Sequence, residues 1–225
     1  MEKWNSVPVK SVINRVRGAD GKIPDEACLE SAMNIAINSS SNNRLELIKL
    51  YWTDGFGWYY GDDNRIAFVI HECKANIPAK TEKGYNTCYR KALAQDIGYY
   101  IQIKNGKYTN FPKELIDLSK KYGYNRVQDC ISDNLALFLL TNDKFVSNVL
   151  VDNKIRALIT KLEPLMLKSD KTPSKYWEDI EIRNVMESFD VSSASYDLVE
   201  GPADLSNTGD ILNKYLKNKN NGINN

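Results

Sequence analysis

The stretch Ile66–Ala75 reads Ile-Ala-Phe-Val-Ile-His-Glu-Cys-Lys-Ala, an apolar run closed by a carboxylate and an ammonium two residues apart. A short, continuous apolar run bounded by turn-forming residues predicts a buried β-strand. Side chains alternate along a strand, so Glu72 and Lys74 share a face with Phe68 and Ile70. Two opposite charges at the end of a buried face cost desolvation unless something there uses them. A divalent cation and a phosphate together would use both.

The chain length of 225 residues fits one large domain, or one domain plus an extension. With 42% hydrophobic residues it can build a real core, which argues against wholesale disorder. Thirty basic residues oppose twenty-nine acidic ones, so overall charge gives nucleic-acid binding no support and any basic surface must be local. The opening residues are polar and mixed, unlike a signal peptide, and no run approaches the ~20 apolar residues of a membrane span. The expectation is a soluble cytoplasmic protein. Cys28, Cys73, Cys88 and Cys130 stand apart without CxxC spacing, and His71 is the single histidine. That argues against a Cys/His zinc site and against a disulfide framework. A Ser/His/Asp or Cys/His hydrolase would have to be built on His71, which alternates onto the strand face opposite Glu72. No GxSxG elbow, P-loop or GxGxxG fingerprint is present.

Along the chain, Pro24-Asp-Glu begins a helix over 27–37, with proline early and acids in the first turn. Leu45–Tyr51 alternates as a strand, and the aromatic stretch through Trp58–Tyr60 continues as sheet. Gly61-Asp-Asp-Asn64 has hairpin-turn chemistry, with Asp62 and Asp63 as turn residues. Helices are predicted over Tyr85–Ile103, with Ala92, Leu93, Ile97 and Tyr100 as its buried stripe, over Phe111–Tyr122, and over Ile155–Leu167. Leu135–Thr141 and Phe145–Val151 read as strands around an Asn142-Asp143-Lys144 turn. Residues 168–216 read as an extension or linker with one short helix around Trp177–Phe189, and 217–225 as a disordered tail. The order predicts a mixed α/β fold with a central sheet of four to five strands flanked by helices, occupying residues 1–167.

A hairpin loop of Asp62-Asp63-Asn64 sets Gly61 opposite Arg65, and the same register sets Asp54 opposite Glu72. Directly opposed residues share a face with Cβ atoms ~4.5–5.5 Å apart. Asp54, Glu72 and Lys74 then converge at one sheet end, whereas a two-residue loop turns Asp54 to the wrong face. Two close acids repel unless a cation lies between them. Mg²⁺, a hard ion that combines carboxylates with waters and substrate phosphate, meets that need, with Mn²⁺ able to substitute. Such a metal activates a bound water and polarises a phosphoryl oxygen, and Lys74 can neutralise developing charge.

Asp54 followed by Glu72-Cys73-Lys74 at a strand end resembles the D…(D/E)xK signature of the PD-(D/E)XK nuclease superfamily. Gln95-Asp-Ile-Gly-Tyr99 in the following helix resembles the QxxxY motif of its RecB-like members and of restriction-enzyme nuclease domains. Gln95 and Tyr99, at i and i+4, lie on one helix face. The Leu-Leu-Thr-Asn-Asp run at 139–143 is similar to the strand and turn that follow in such domains. The resemblance spans residues 24–151, and no proline precedes Asp54. It implies a restriction-endonuclease-like core and Mg²⁺-dependent hydrolysis of phosphodiester bonds in DNA. It further implies Asp54 and Glu72 as metal ligands, joined by Glu30 (or Glu26) from the first helix. Lys74 would position the attacking water, and Gln95 and Tyr99 would support the site. Family members often work with helicase or methyltransferase modules, as homodimers, or in restriction and anti-phage defence.

Lys80, Lys83, Arg90 and Lys91 are candidate phosphate contacts, or a solvated helix face. Tyr59, Tyr60, Tyr99 and Tyr100 could stack on bases or simply pack. The plain structural reading makes Glu72–Lys74 a strand-end ion pair, Asp54 a turn residue before Gly55, and Glu30 a helix-dipole partner. A second functional reading is a catalytically inactive module of the same fold that binds nucleic acid or a protein partner.

Overall fold

A computed structural model describes residues 45–48, 55–60, 65–74, 83–141, 145–149, 151–191 and 196–200. The fold is mixed α/β. Its centre is three strands, β2 (Gly55–Tyr60), β3 (Ile66–Lys74) and β4 (Leu135–Thr141), with β2/β3 antiparallel and β3/β4 parallel. β1 (Leu45–Ile48) pairs outside β2, and β5 (Phe145–Val149) and β6 (Tyr196–Glu200) continue beyond β4. Together they form one six-stranded sheet in chain order. β6 exceeds the four to five strands expected from sequence, and it falls in the stretch read as an extension.

Parallel pairing of β3 with β4 explains why both are continuously apolar rather than alternating. Phe68, Ile70, Leu135, Leu137 and Leu139 are buried on one face, and Ala67, Val69 and Ala136 are buried on the other. A parallel neighbour requires a crossover. Here it contains α1 (Tyr85–Lys104), α2 (Lys113–Lys121) and the seven-residue α3 (Val127–Asp133). The chain then continues through α4 (Asn153–Lys168), a 3-10 turn (Pro173–Glu178) and α5 (Ile180–Ser188).

α1 is the organising element. From Ala92 to Ile103 every side chain except Gln95 is buried, so the helix is covered all round rather than along a stripe. One side packs on β3 and β4, and the other meets α4, α5 and the 3-10 turn. The turn seats Tyr176, fully buried, against Gly98: a Cβ there would lie 2.5 Å from Tyr176 Cε2 and 2.7 Å from Cδ2. The Tyr176 hydroxyl accepts from Gln102 Nε2 at 3.1 Å and donates to Met166 O at 3.2 Å, while Tyr108 donates to Gln102 Oε1 at 2.8 Å. Burial pushes the Tyr176 hydroxyl above its ordinary pKa, which keeps it a donor. Residues past 168 therefore supply Tyr176, Ile182 and Met186 to the same core as the sheet.

Capping fixes the later helices. Asp152 accepts from the backbone of Lys154 and Ile155 to start α4. Asp179 does the same for α5 through Glu181 and Ile182, and also accepts from Ser169 Oγ at 2.7 Å. The C-terminal end of α1 is tied to α4 by Glu163, which accepts from Lys104 Nζ at 2.7 Å and Asn105 Nδ2 at 2.8 Å. Partial burial pushes the Glu163 carboxyl up, but the two hydrogen bonds outweigh it and hold the group below its ordinary value. A carboxyl depressed on folding stabilises at pH above its unfolded range and loses that contribution as pH falls through the folded value. Urea midpoints of the wild type and Glu163→Gln should thus differ at neutral pH and converge in acid. With Lys104 39% and Glu163 21% exposed, the neutral-pH difference should stay below about 1 kcal/mol.

Candidate functional site

β3 carries Glu72 and Lys74 on one face, at the strand end from which the chain departs towards α1. The neighbours of Glu72 on that face are Ile70 beside it and Leu139 across the parallel ladder, both buried. Its side chain has no solvent exposure, and Lys74 Nζ donates to its Oε1; the Lys74 side chain keeps 23% of its surface. Removing a carboxylate from water costs several kcal/mol unless a partner compensates. The ammonium two residues on supplies the compensating charge, so this is a buried ion pair with one open side.

The β2/β3 register is the one that a three-residue loop demands: Gly55 faces His71, Phe56 faces Ile70 and Tyr60 faces Ile66. The described ladder ends at that Gly55–His71 step, so the expected pairing of Asp54 with Glu72 lies beyond it. Asp54 itself, with Glu30, Glu26 and Lys80, lies outside the described residues, as do the helix expected over 27–37, both hairpin turns and the tail. Among the described residues no three His, Cys, Asp or Glu side chains gather as a metal-binding set. Glu72 is the described oxygen donor of the expected set. Its chemistry fits a hard divalent ion, and the Lys74 ammonium already holds a positive charge against the oxygen such an ion would use.

α1 brings Gln95 and Tyr99 together, with Gln95 Nε2 donating to the Tyr99 hydroxyl at 3.0 Å. Gln95 is half-buried and Tyr99 3% exposed, so the i, i+4 pair is a fixed polar unit on the helix that packs over β3. Sequence reasoning passed over Asp96 beside it, which with Glu72 is one of two buried acids among the described residues. Its spacing from Leu93, Ile97 and Tyr100 placed it in the apolar stripe, a signal that was legible.

The basic candidates divide. Lys83 is exposed ahead of α1. Arg90 donates through Nε and Nη2 to Phe189 O at 3.1 and 2.8 Å, which ties α1 to the end of α5. Lys91 Nζ sits 5.7 Å from the centre of the Trp177 ring. Both cations thus hold the C-terminal helices onto α1. Of the tyrosines, Tyr100 is buried in the core, and Tyr60 is half-buried, accepting from Trp58 Nε1 at 3.0 Å.

Comparison with protein families, curated proteins and solved structures finds no match to this chain. Among the described residues no helix is long and apolar enough to cross a membrane.

Proposed function

We propose that this chain is a Mg²⁺-dependent nuclease of the PD-(D/E)XK type, with a restriction-endonuclease-like core, that hydrolyses phosphodiester bonds in DNA. The supporting observation is the buried Glu72 carboxylate in contact with Lys74 at the end of β3, one residue past the described β2/β3 register, which ends at Gly55 opposite His71. The ordered Gln95–Tyr99 pair on the following helix adds to it.

In this reading Glu72, Asp54 and Glu30 hold the ion. When bound, it supplies a Lewis acid for the phosphoryl oxygen and lowers the pKa of a coordinated water. Lys74 neutralises charge gathering on the phosphoryl oxygens and orients the attacking water. The apolar neighbours Ile70 and Leu139 exclude bulk water from the Glu72 side, which strengthens every charge interaction there. The Gln95–Tyr99 unit steadies the rim on the α1 side. A restriction or anti-phage setting, a helicase or methyltransferase partner and a homodimer are part of this proposal.

The test is incubation of plasmid and single-stranded DNA with Mg²⁺ or Mn²⁺, comparing the wild type with Glu72→Gln and Lys74→Ala. Metal-dependent cutting by the wild type, lost in both variants, supports the reading. DNA binding without cutting, unaltered in both variants, rejects it in favour of a non-catalytic binding module.

A further inference from the structure

We propose that the cleft between α4 and α5 binds a nucleoside monophosphate, with the phosphate on the α4 side and the base against Phe189. The choice of a nucleotide rests on the nuclease reading above, whereas the chemistry of the cleft stands without it.

The cleft has a volume of about 270 Å³, just under the range of about 300–1,000 Å³ usual for small-molecule sites, which suits one nucleotide and not a longer strand. Lys154, Ala157 and Lys161 line its α4 side, and Val185, Ser188 and Phe189 its α5 side. Residues seven apart on a helix share a face, about 10 Å apart along the axis, with position 157 between them. Alanine there is too small to fill the gap, so the opening lies where the lysines are. Leu158 in the same lining is buried, and Val185 and Phe189 are half-buried. Exposed Lys161 therefore borders a space whose other walls are largely apolar.

Three cations act on this space against the carboxylate of Asp190, which also lines it. Lys161 borders it directly. Lys154 adds its charge whatever else its ammonium touches, because charges act over ~8 Å at physiological salt. The Arg90 guanidinium lies 2.8 Å from the Phe189 carbonyl oxygen. The balance favours an anion. The α5 side asks for something different. Ser188 donates its hydroxyl proton to Val185 O at 2.7 Å, so towards a ligand its oxygen can only accept, as can ionised Asp190. A fitting ligand thus carries an anion at one end, a flat apolar body, and N–H or O–H donors elsewhere. The phosphate, base and sugar hydroxyl of a nucleoside monophosphate meet all three demands. Phe189 supplies a ring for the base to stack on. Its backbone is set in advance, with the carbonyl held by Arg90 and the amide donating to Met186 O at 3.2 Å, so little order is lost on binding.

Calorimetric titration with deoxyadenosine monophosphate tests this on the full chain, with deoxyadenosine and inorganic phosphate titrated separately. The expected result is binding of the nucleotide, weaker binding of either half alone, and a roughly fivefold loss of affinity in Lys161→Gln. Ala157→Leu should abolish binding by filling the gap between the lysines; the site is exposed and leucine suits a helix, so the fold is kept. Nucleotide binding unaltered in both variants overturns the assignment to this cleft. Inorganic phosphate binding as tightly as the nucleotide overturns the role of Phe189 and leaves a simple anion site. No nucleotide binding by protein that cuts plasmid overturns the cleft while the nuclease reading stands. Binding that follows the two variants in protein that cuts no DNA supports the cleft and counts against that reading.

Discussion

Alanine at position 98 should lower the midpoint of thermal unfolding by roughly 10 °C. On helix propensity alone the change would help, since glycine inside a helix is worse than alanine by about 1 kcal/mol. The packing reverses that. The new Cβ would meet two ring carbons of Tyr176 at 2.5 and 2.7 Å and Pro173 Cβ at 3.3 Å, inside contact distance for all three. The ring has no room to yield, because it is fully buried and its hydroxyl is held by Gln102 and by the Met166 carbonyl. Overpacking of this kind costs about 1–3 kcal/mol, and breaking hydroxyl bonds adds about 1 kcal/mol each. A net loss near 3 kcal/mol in a chain of this size corresponds to the stated shift. A midpoint at or above that of the wild type would show that the 3-10 turn slides away freely. Gly106→Ala is the contrasting case: no atom lies within 4 Å of its Cβ, so only the strain of its φ of +74° is felt.

On the proposed function, changes at Glu72 and Lys74 should both abolish cutting but differ in what they cost in stability. Under the proposed function, Glu72→Gln should cut DNA roughly a thousandfold more slowly, because it takes away the charge proposed to hold the ion and leaves a side chain of the same shape. Its stability should fall by no more than about 1 kcal/mol, since Lys74 has an open side through which to reach water. Lys74→Met should lose activity too, but at a cost of about 3 kcal/mol in urea unfolding, because it removes the ammonium that contacts a carboxylate with no exposed surface. Equal destabilisation by the two changes would mean that the carboxylate is less enclosed than described. Retained cutting in Glu72→Gln would remove Glu72 from the proposed metal site.

What could be read ahead of the structure was whatever has a local period or a short-range geometric rule. Strand alternation placed Glu72 and Lys74 on one face, and of the loop lengths left open by the sequence the three-residue one matches the ladder that sets Gly55 against His71. The i, i+4 spacing of Gln95 and Tyr99 became a hydrogen bond. Less was legible where a contact spans the chain. Nothing near Gly98 announces a ring arriving from residue 176, and nothing in α1 says that it is covered on its second side. A basic residue reads the same whether it faces water or a carbonyl, which is why Arg90 and Lys91 resembled phosphate contacts while the fold holds them on Phe189 and Trp177. The seven residues of α3 carry too few turns to display a period, and Asn134 closes them by donating to Cys130 O at 2.8 Å. β6 was hidden for another reason: its pairing partner, not its own composition, makes it a strand.

The seating of Tyr176 on Gly98 bears on how this chain can be trimmed or joined to others. A boundary drawn at residue 167, where composition turns polar, would strip the outer side of α1 and expose Gly98 and Gln102, the positions that Tyr176 covers, to water. Such a fragment should precipitate or be recovered as aggregates. Splices that respect residues 169–191 keep the central helix clad, and protein engineers should treat that stretch as part of the body rather than a tether.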